Sequence, residues 1–275
     1  MQLVCGNKTL NLMQPCIMGI VNVTPDSFSD GGRYPTVASA IIHAKRMIAD
    51  GAAIVDIGGE STRPGAESIT IETELERVIP VISALKGCAA IISVDTRKPE
   101  VMQAAIIAGA DMINDINALR SDGALKVVSE SNVAVCVMHM QGEPKTMQQN
   151  VCYGDVIQEV CGFLQERVEV LKTAGIPQNR IAIDPGFGFG KTLQHNLQLL
   201  KHLDRIVALK SPVLVGMSRK AMLGMLTGRP VNERDAASIA AYLHAWNHGA
   251  NIMRVHDVAK CRDAFTIWQA IKDTP

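Results

Sequence analysis

The chain has 275 residues, with 27 Lys plus Arg against 27 Asp plus Glu, so its formal net charge is zero. Hydrophobic residues make up 47%, which argues against disorder, and aromatic residues only 4%. A neutral balance with few rings argues against a nucleic-acid partner, which calls for a basic face and stacking aromatics. The length admits two domains of ~150 residues or one α/β barrel of ~250.

The first twelve residues show no basic segment followed by an apolar run, so no signal peptide is expected. No apolar stretch approaches the ~18 residues of a membrane helix. The seven cysteines, Cys5, Cys16, Cys88, Cys136, Cys152, Cys161 and Cys261, are odd in number and contain no Cys-x-x-Cys pair. They read as free thiols in a reducing cytoplasm rather than as a disulfide frame or a zinc site.

In chain order, residues 3–12 with Gly6-Asn7 at their centre predict a small hairpin. Short apolar runs at 16–21, 53–57, 91–94, 112–114, 133–138, 180–183, 213–217 and 252–255 predict strands. They lack the alternation of a half-wet sheet and read as parallel strands covered on both faces. Between and after them, residues 36–50, 72–86, 99–108, 122–131, 153–174, 192–203, 236–248 and 258–272 carry helical periodicity. Gly51, Gly109 and Gly175 stand where the first, third and fifth of these helices stop. Eight strand–helix units in series predict an α/β fold: a (β/α)8 TIM barrel in a single domain, 1–275, with a short N-terminal hairpin. The alternative is an open doubly wound sheet.

Polar residues follow the strands in turn: Asn22; Asp56 and 58–65; Asp95; Asn114-Asp115; His139; Asp184; Ser218-Arg219-Lys220; Arg254 and His256. In a closed barrel these share the C-terminal rim, where barrel enzymes place their sites. Any one of them also serves as a helix cap, and Asp115 and Ser218 fit that role as well as a functional one. Asp95, Asp184 and Asn114 suit the donor edge of an amino-heterocycle, because carboxylates only accept. Arg63, Arg254, His256, Asn22 and Lys220 suit a phosphorylated group. An amino-heterocycle carrying phosphate is the substrate class these residues indicate.

Three lookalikes are set aside. Residues 186–192 nearly match a P-loop, but Pro185 replaces its first glycine and Asp184 would face the phosphates. His244 and His248 stand four apart, but Ala245 occupies the place of a zinc protease's Glu. No Gly-x-Ser-x-Gly elbow accompanies a serine triad.

The motifs as a set are more specific. Gly19-Ile-Val-Asn22-Val-Thr-Pro-Asp-Ser-Phe28, Asp56-Ile-Gly-Gly-Glu-Ser-Thr62-Arg63-Pro64-Gly65, Ser93-Val-Asp95, Ile113-Asn114-Asp115, Met138-His139-Met140, Asp184-Pro-Gly-Phe-Gly-Phe189-Gly-Lys, Ser218-Arg219-Lys220 and Arg254-Val-His256-Asp257 follow one another in order. Over nearly the whole chain this sequence resembles the dihydropteroate synthases of the folate pathway. The resemblance implies a (β/α)8 barrel that joins 6-hydroxymethyl-7,8-dihydropterin pyrophosphate to 4-aminobenzoate, giving 7,8-dihydropteroate and pyrophosphate. It implies that Asp95, Asn114, Asp184, Lys220 and Arg254 hold the pterin, walled by Ile116, Met138, Phe189 and Gly216. It implies that Asn22 ligates Mg2+ and that Asn22, Thr62, Arg63, Arg254 and His256 bind the pyrophosphate. Phe28, Thr62, Arg63, Pro64, Phe189, Lys220 and Ala221 are expected around the aminobenzoate. Asp95, Asp184, Lys220, Arg254 and His256 carry the catalytic expectation, and a homodimer through late helices is expected too.

One departure from the family pattern is Ala221, where many members have Ser. It removes a hydroxyl contact and leaves a backbone N–H. Two rival readings are a pterin-binding methyltransferase and an inactive pterin-binding scaffold. The first has no need of the 24–28 and 61–65 loops. The second predicts loss of Asn22, Arg63, Lys220 or His256, and all four are present.

Overall fold

The computed structural model describes residues 1–24, 37–62 and 65–274. A hairpin of β1 (Gln2–Cys5) and β2 (Lys8–Asn11) precedes the first barrel strand, β3 (Cys16–Asn22). Then follow α1 (Val37–Ala49), β4 (Ile54–Gly58), α2 (Ile71–Leu85), β5 (Ile91–Asp95), α3 (Pro99–Ala108), β6 (Met112–Asp115) and α4 (Ala124–Ser129). The second half runs β7 (Ala134–Met138), α5 (Val156–Thr173), β8 (Ile181–Asp184), α6 (Leu193–Lys201), α7 (Leu203–Val207), β9 (Leu214–Val215), α8 (Ala221–Thr227), α9 (Asp235–Asn247), β10 (Ile252–Val255) and α10 (Val258–Asp273).

The eight parallel strands stand in the order β8-β7-β6-β5-β4-β3-β10-β9. A parallel bridge between Ile183 and Val213 joins the two ends, with the Ile183 N–H donating to the Pro212 carbonyl at 2.9 Å. The ring is therefore a (β/α)8 barrel, and the open-sheet alternative falls. Closure removes the edges of the eight-stranded sheet.

Register assigns each side chain to the inside or the outside of the ring. Ile54, Asp56 and Gly58 stand level with Ile91, Ser93 and Asp95, and the last two with Met112 and Asn114. The inward floor is apolar: Met18, Ile54, Ile91, Met112, Ala134, Ala182, Leu214 and Ile252 form one buried cluster, which Leu3 and Cys5 of the hairpin close from below. Outward residues such as Val55, Val94, Val135 and Val215 pack with helix residues such as Ala40, Val78 and Val101 in a second, larger cluster. One turn higher on the inside, the inward positions become Asp56, Asp95, Asn114, Asp184 and Arg254. The lower part of the barrel is thus apolar on both faces of the sheet and polar side chains enter the inside only toward the strand ends, which is why the sequence shows continuous runs.

Some boundaries differ from expectation for local reasons. The 153–174 helix begins at Val156 because Asp155 caps it, accepting the Ile157 and Gln158 N–H groups at 2.9 and 3.0 Å. The 192–203 helix breaks at His202 into α6 and α7, which lets Leu199, Leu203 and Ile206 all bury completely. Helix α8 escaped expectation because its seven residues are too few to show a period. Strand β9 keeps only two residues of the expected five, since the Met217 and Ser218 N–H groups turn to a side chain. All seven cysteines are free thiols. Among the described residues no helix is long and apolar enough to cross a membrane.

Candidate active site

At the C-terminal rim, Asp56 of β4 is the hub of a buried network. Its Oδ2 accepts from Arg254 Nε at 2.6 Å and from Asn114 Nδ2 at 3.0 Å, and its Oδ1 accepts from Ser93 Oγ at 2.6 Å. The second arm of the Arg254 guanidinium, Nη2, donates to Asp95 Oδ2 at 2.7 Å. Arg254 is far apart from both acids in sequence and meets them only because β10 and β4 flank β3. Burial raises the Asp95 carboxyl above the usual carboxylate range, and the Arg254 guanidinium draws it back down.

Asp184 ends β8. Its Oδ1 accepts the Gly186 N–H at 2.7 Å, and burial raises its pKa against the pull of Lys220. Lys220 donates from Nζ to the Phe187 carbonyl and lies over the Phe189 ring, 4.4 Å from its centroid. Burial lowers the Lys220 amine to about 8. The 186–190 loop requires its glycines. Gly186 has φ +69°, and a Cβ there would run into the His139 carbonyl oxygen; Gly190 has φ +61° and abuts the Gln141 carbonyl in the same way. The loop is pinned from beneath by Lys191. Its Nζ donates to the Gly186 and Phe189 carbonyls at 2.9 and 3.0 Å and lies 3.0 Å from His139 Nδ1. This amine turns into the protein, as no P-loop lysine does.

His256 follows β10. The Ser218 hydroxyl shares a 2.9 Å hydrogen bond with His256 Nδ1 and accepts the His256 backbone N–H at 3.3 Å. The two alternatives left open by the sequence therefore divide. Asp115 is a turn-former: its carboxylate accepts the Asn117 and Leu119 N–H groups, each at 2.7 Å, and supports the left-handed Ala118 and Leu119. Ser218 caps no helix and belongs to the site.

A cavity of about 760 Å³ opens on this rim. Of the expected residues, Asn22, Thr62, Asp95, Phe189, Gly216, Lys220, Ala221, Arg254 and His256 line it. Asn114 and Asp184 are buried at the strand tops behind it, and Ile116 and Met138 cluster with Met140, Met147 and Phe189 as an apolar wall. Phe28, Arg63 and Pro64 lie outside the described residues. Sequence reasoning passed over Asp56 as a site residue. The signal was available in its parity, since it faces inward level with Ser93. It also passed over Ser218 as the partner of His256, and over Lys191, Glu60 and Ser61, which line the cavity as well.

A closed barrel with acids, amides, cations and a histidine gathered at its C-terminal rim defines an enzyme for an amino-heterocycle. Residues 18–256 match the family described as "Pterin binding enzyme", and the chain belongs to that family. At the scale of the whole chain its relatives are dihydropteroate synthases, which are transferases. It is 46% identical to the dihydropteroate synthase of Haemophilus influenzae over 273 residues, 98% of both chains. It superposes on the Yersinia pestis dihydropteroate synthase with a sulfonamide drug at TM-score 0.95 and 46% identity, covering 100% of both chains. It superposes on that of Xanthomonas albilineans in complex with 7,8-dihydropteroate at TM-score 0.90 and 49% identity, covering 100% of both chains.

Proposed function

We propose that this chain is a dihydropteroate synthase that condenses 6-hydroxymethyl-7,8-dihydropterin pyrophosphate with 4-aminobenzoate at the barrel rim. The observation that carries the reading is the polar floor of the cavity, which Asp95 lines and behind which Asn114 and Asp184 are buried at the strand tops. Carboxylates accept only, so this floor selects a ring that offers N–H groups, as the pterin's amino group and ring nitrogens do. The methyl–wall cluster of Ile116, Met138 and Met147 with Phe189 suits the faces of a flat ring.

The reaction needs no protein nucleophile. The C–O bond to the pyrophosphate breaks and its electron pair leaves with the pyrophosphate oxygen. The amine lone pair of 4-aminobenzoate then forms the C–N bond, and the amine loses a proton to solvent. Asp95 and Asp184 stabilise the positive charge that develops on the pterin, while Arg254, His256 and Thr62 receive the leaving group. Lys220 sits between the two tasks, beside Asp184 and above Phe189. Phe28, Arg63 and Pro64 complete the aminobenzoate end in this reading, with the Ala221 N–H.

Mg2+ fits this donor set in one way. Asn22 lines the cavity, and its Oδ1 lies 3.5 Å from where a Cβ on Gly58 would stand, so the glycine leaves room beside it. No group of three or more His, Cys, Asp or Glu able to hold a metal occurs among the described residues. A single amide oxygen suits an ion that arrives with phosphate and keeps several waters. Such an ion would neutralise pyrophosphate charge as it leaves.

Supplying both substrates and Mg2+ tests the reading: pyrophosphate and dihydropteroate should form in equal amounts. Failure to release pyrophosphate from the two substrates sinks it in favour of a methyltransferase-like enzyme. The seven free thiols support a cytoplasmic setting. The exposed Ile267 and Ile271 of α10 support a homodimer through the late helices, and sedimentation at a monomer mass would oppose it.

A further inference from the structure

The pairing of β9 with β10 ends at Met253–Val215, whereas β3 follows β10 two residues further, to Val255. Parallel ladders alternate their hydrogen bonds between strands. The Ile252 N–H donates to the Val213 carbonyl at 3.0 Å, and continuing that register places the Met217 N–H against the Arg254 carbonyl. The hydroxyl of Tyr242, on α9, occupies that place. It accepts the Met217 N–H at 2.9 Å and the Ser218 N–H at 2.8 Å, and it donates to the Arg254 carbonyl. A phenol has one donor and two acceptor sites, and all three are used. Tyr242 is fully buried, so no water competes for them.

Both strand ends joined by this hydroxyl carry side chains of the site. On one side, the 217–220 turn closes with the Lys220 N–H on the Met217 carbonyl at 3.2 Å. The same turn presents Ser218 to His256. On the other side, Arg254 reaches Asp56 and Asp95. Gly216 lines the cavity between them. Neighbouring α9 groups reinforce the arrangement: Ser238 Oγ accepts the Arg219 N–H at 3.1 Å, and Asp235 Oδ1 pairs with Arg219 Nε at 3.0 Å. Burial raises the Tyr242 phenol, which keeps its proton and so remains a donor.

We propose that Tyr242 is a positioning residue: its hydroxyl, inserted into the β9–β10 ladder, sets Ser218 and Lys220 against Arg254 and His256. The proposal rests on reading the cavity as the substrate site. Tyr242→Phe removes one oxygen and leaves the Met217 and Ser218 N–H groups and the Arg254 carbonyl without this partner. The expected result is a fall of about tenfold or more in kcat/KM for the pterin pyrophosphate. KM for that substrate should rise more than KM for 4-aminobenzoate. A lowered Tm with wild-type kinetic constants would make Tyr242 merely structural and overturn the proposal. If the Phe variant does not fold, amide exchange on the wild-type enzyme decides. The Met217 and Ser218 amides should exchange as slowly as strand amides although they lie past the end of β9, and exchange at the rate of open backbone overturns the role. Pyrophosphate release by the wild-type enzyme is measured alongside. Its absence defeats the reading of the cavity, whereas an unimpaired Tyr242→Phe defeats only the positioning role.

Discussion

Asp56→Asn perturbs the hub of the site without changing its shape. The wild-type carboxylate is 0% exposed and takes three hydrogen bonds, from Ser93, Asn114 and Arg254, at 2.6, 3.0 and 2.6 Å. The amide keeps one acceptor oxygen and turns an NH2 toward Ser93 or toward Arg254. Removing one partner of a buried ion pair costs ~3–5 kcal/mol. Arg254 retains Asp95 at 2.7 Å, which places the cost near the low end, at about 3 kcal/mol. At ~2–4 °C per kcal/mol for a protein of this size, Tm should fall by about 6–12 °C. The guanidinium should also swing toward Asp95, so kcat/KM for the pterin pyrophosphate should drop by more than about tenfold. Calorimetry and steady-state kinetics on the same preparation measure both effects. A Tm within about 2 °C of wild type together with unchanged kinetics would refute the claim that Asp56 holds Arg254.

Three further outcomes are expected. Asp95→Asn should lower turnover far more than it weakens pyrophosphate binding by calorimetry; intact turnover removes Asp95 from the chemistry. The Lys220 amine is lowered to about 8, and its protonated form is the one that faces Asp184, so kcat/KM should fall as the pH rises through 8. Lys220→Arg, which stays charged, should flatten that limb of the profile. The unfolded chain holds the Lys220 proton up to about 10.4, so over the same window this group adds stability with rising pH rather than losing it. Gly186→Ala, at φ +69° with a carbonyl in the way, should cost more than about 2 kcal/mol in denaturant unfolding. Gly162→Ala, in open space within α5, should add about 0.5–1 kcal/mol. Equal effects at the two glycines would defeat the steric argument.

Much of the barrel was legible because each of its strands is written locally. Apolar runs such as 16–21 and 133–138 need no distant partner to be recognised, and Gly51, Gly109 and Gly175 mark helix ends through left-handed geometry that only glycine adopts cheaply. The polar residues after the strands were legible for the same reason, and nine of those expected at the site line one cavity. Helix α8 and the break at His202 were not, because short helices are decided by what they pack on.

Residue pattern alone determined the number of strand–helix units and the acid, amide and cation types at the rim. Tertiary structure decided which of them meet. Arg254 pairs with Asp56 across 198 residues of chain, and Tyr242 inserts into a ladder from a helix outside it. The physical reason is closure. A local pattern specifies that a strand ends in a polar residue, but the ring of hydrogen bonds that brings β10 beside β3 sets its height, direction and neighbours. The distances that turn a set of polar residues into a site come from that register.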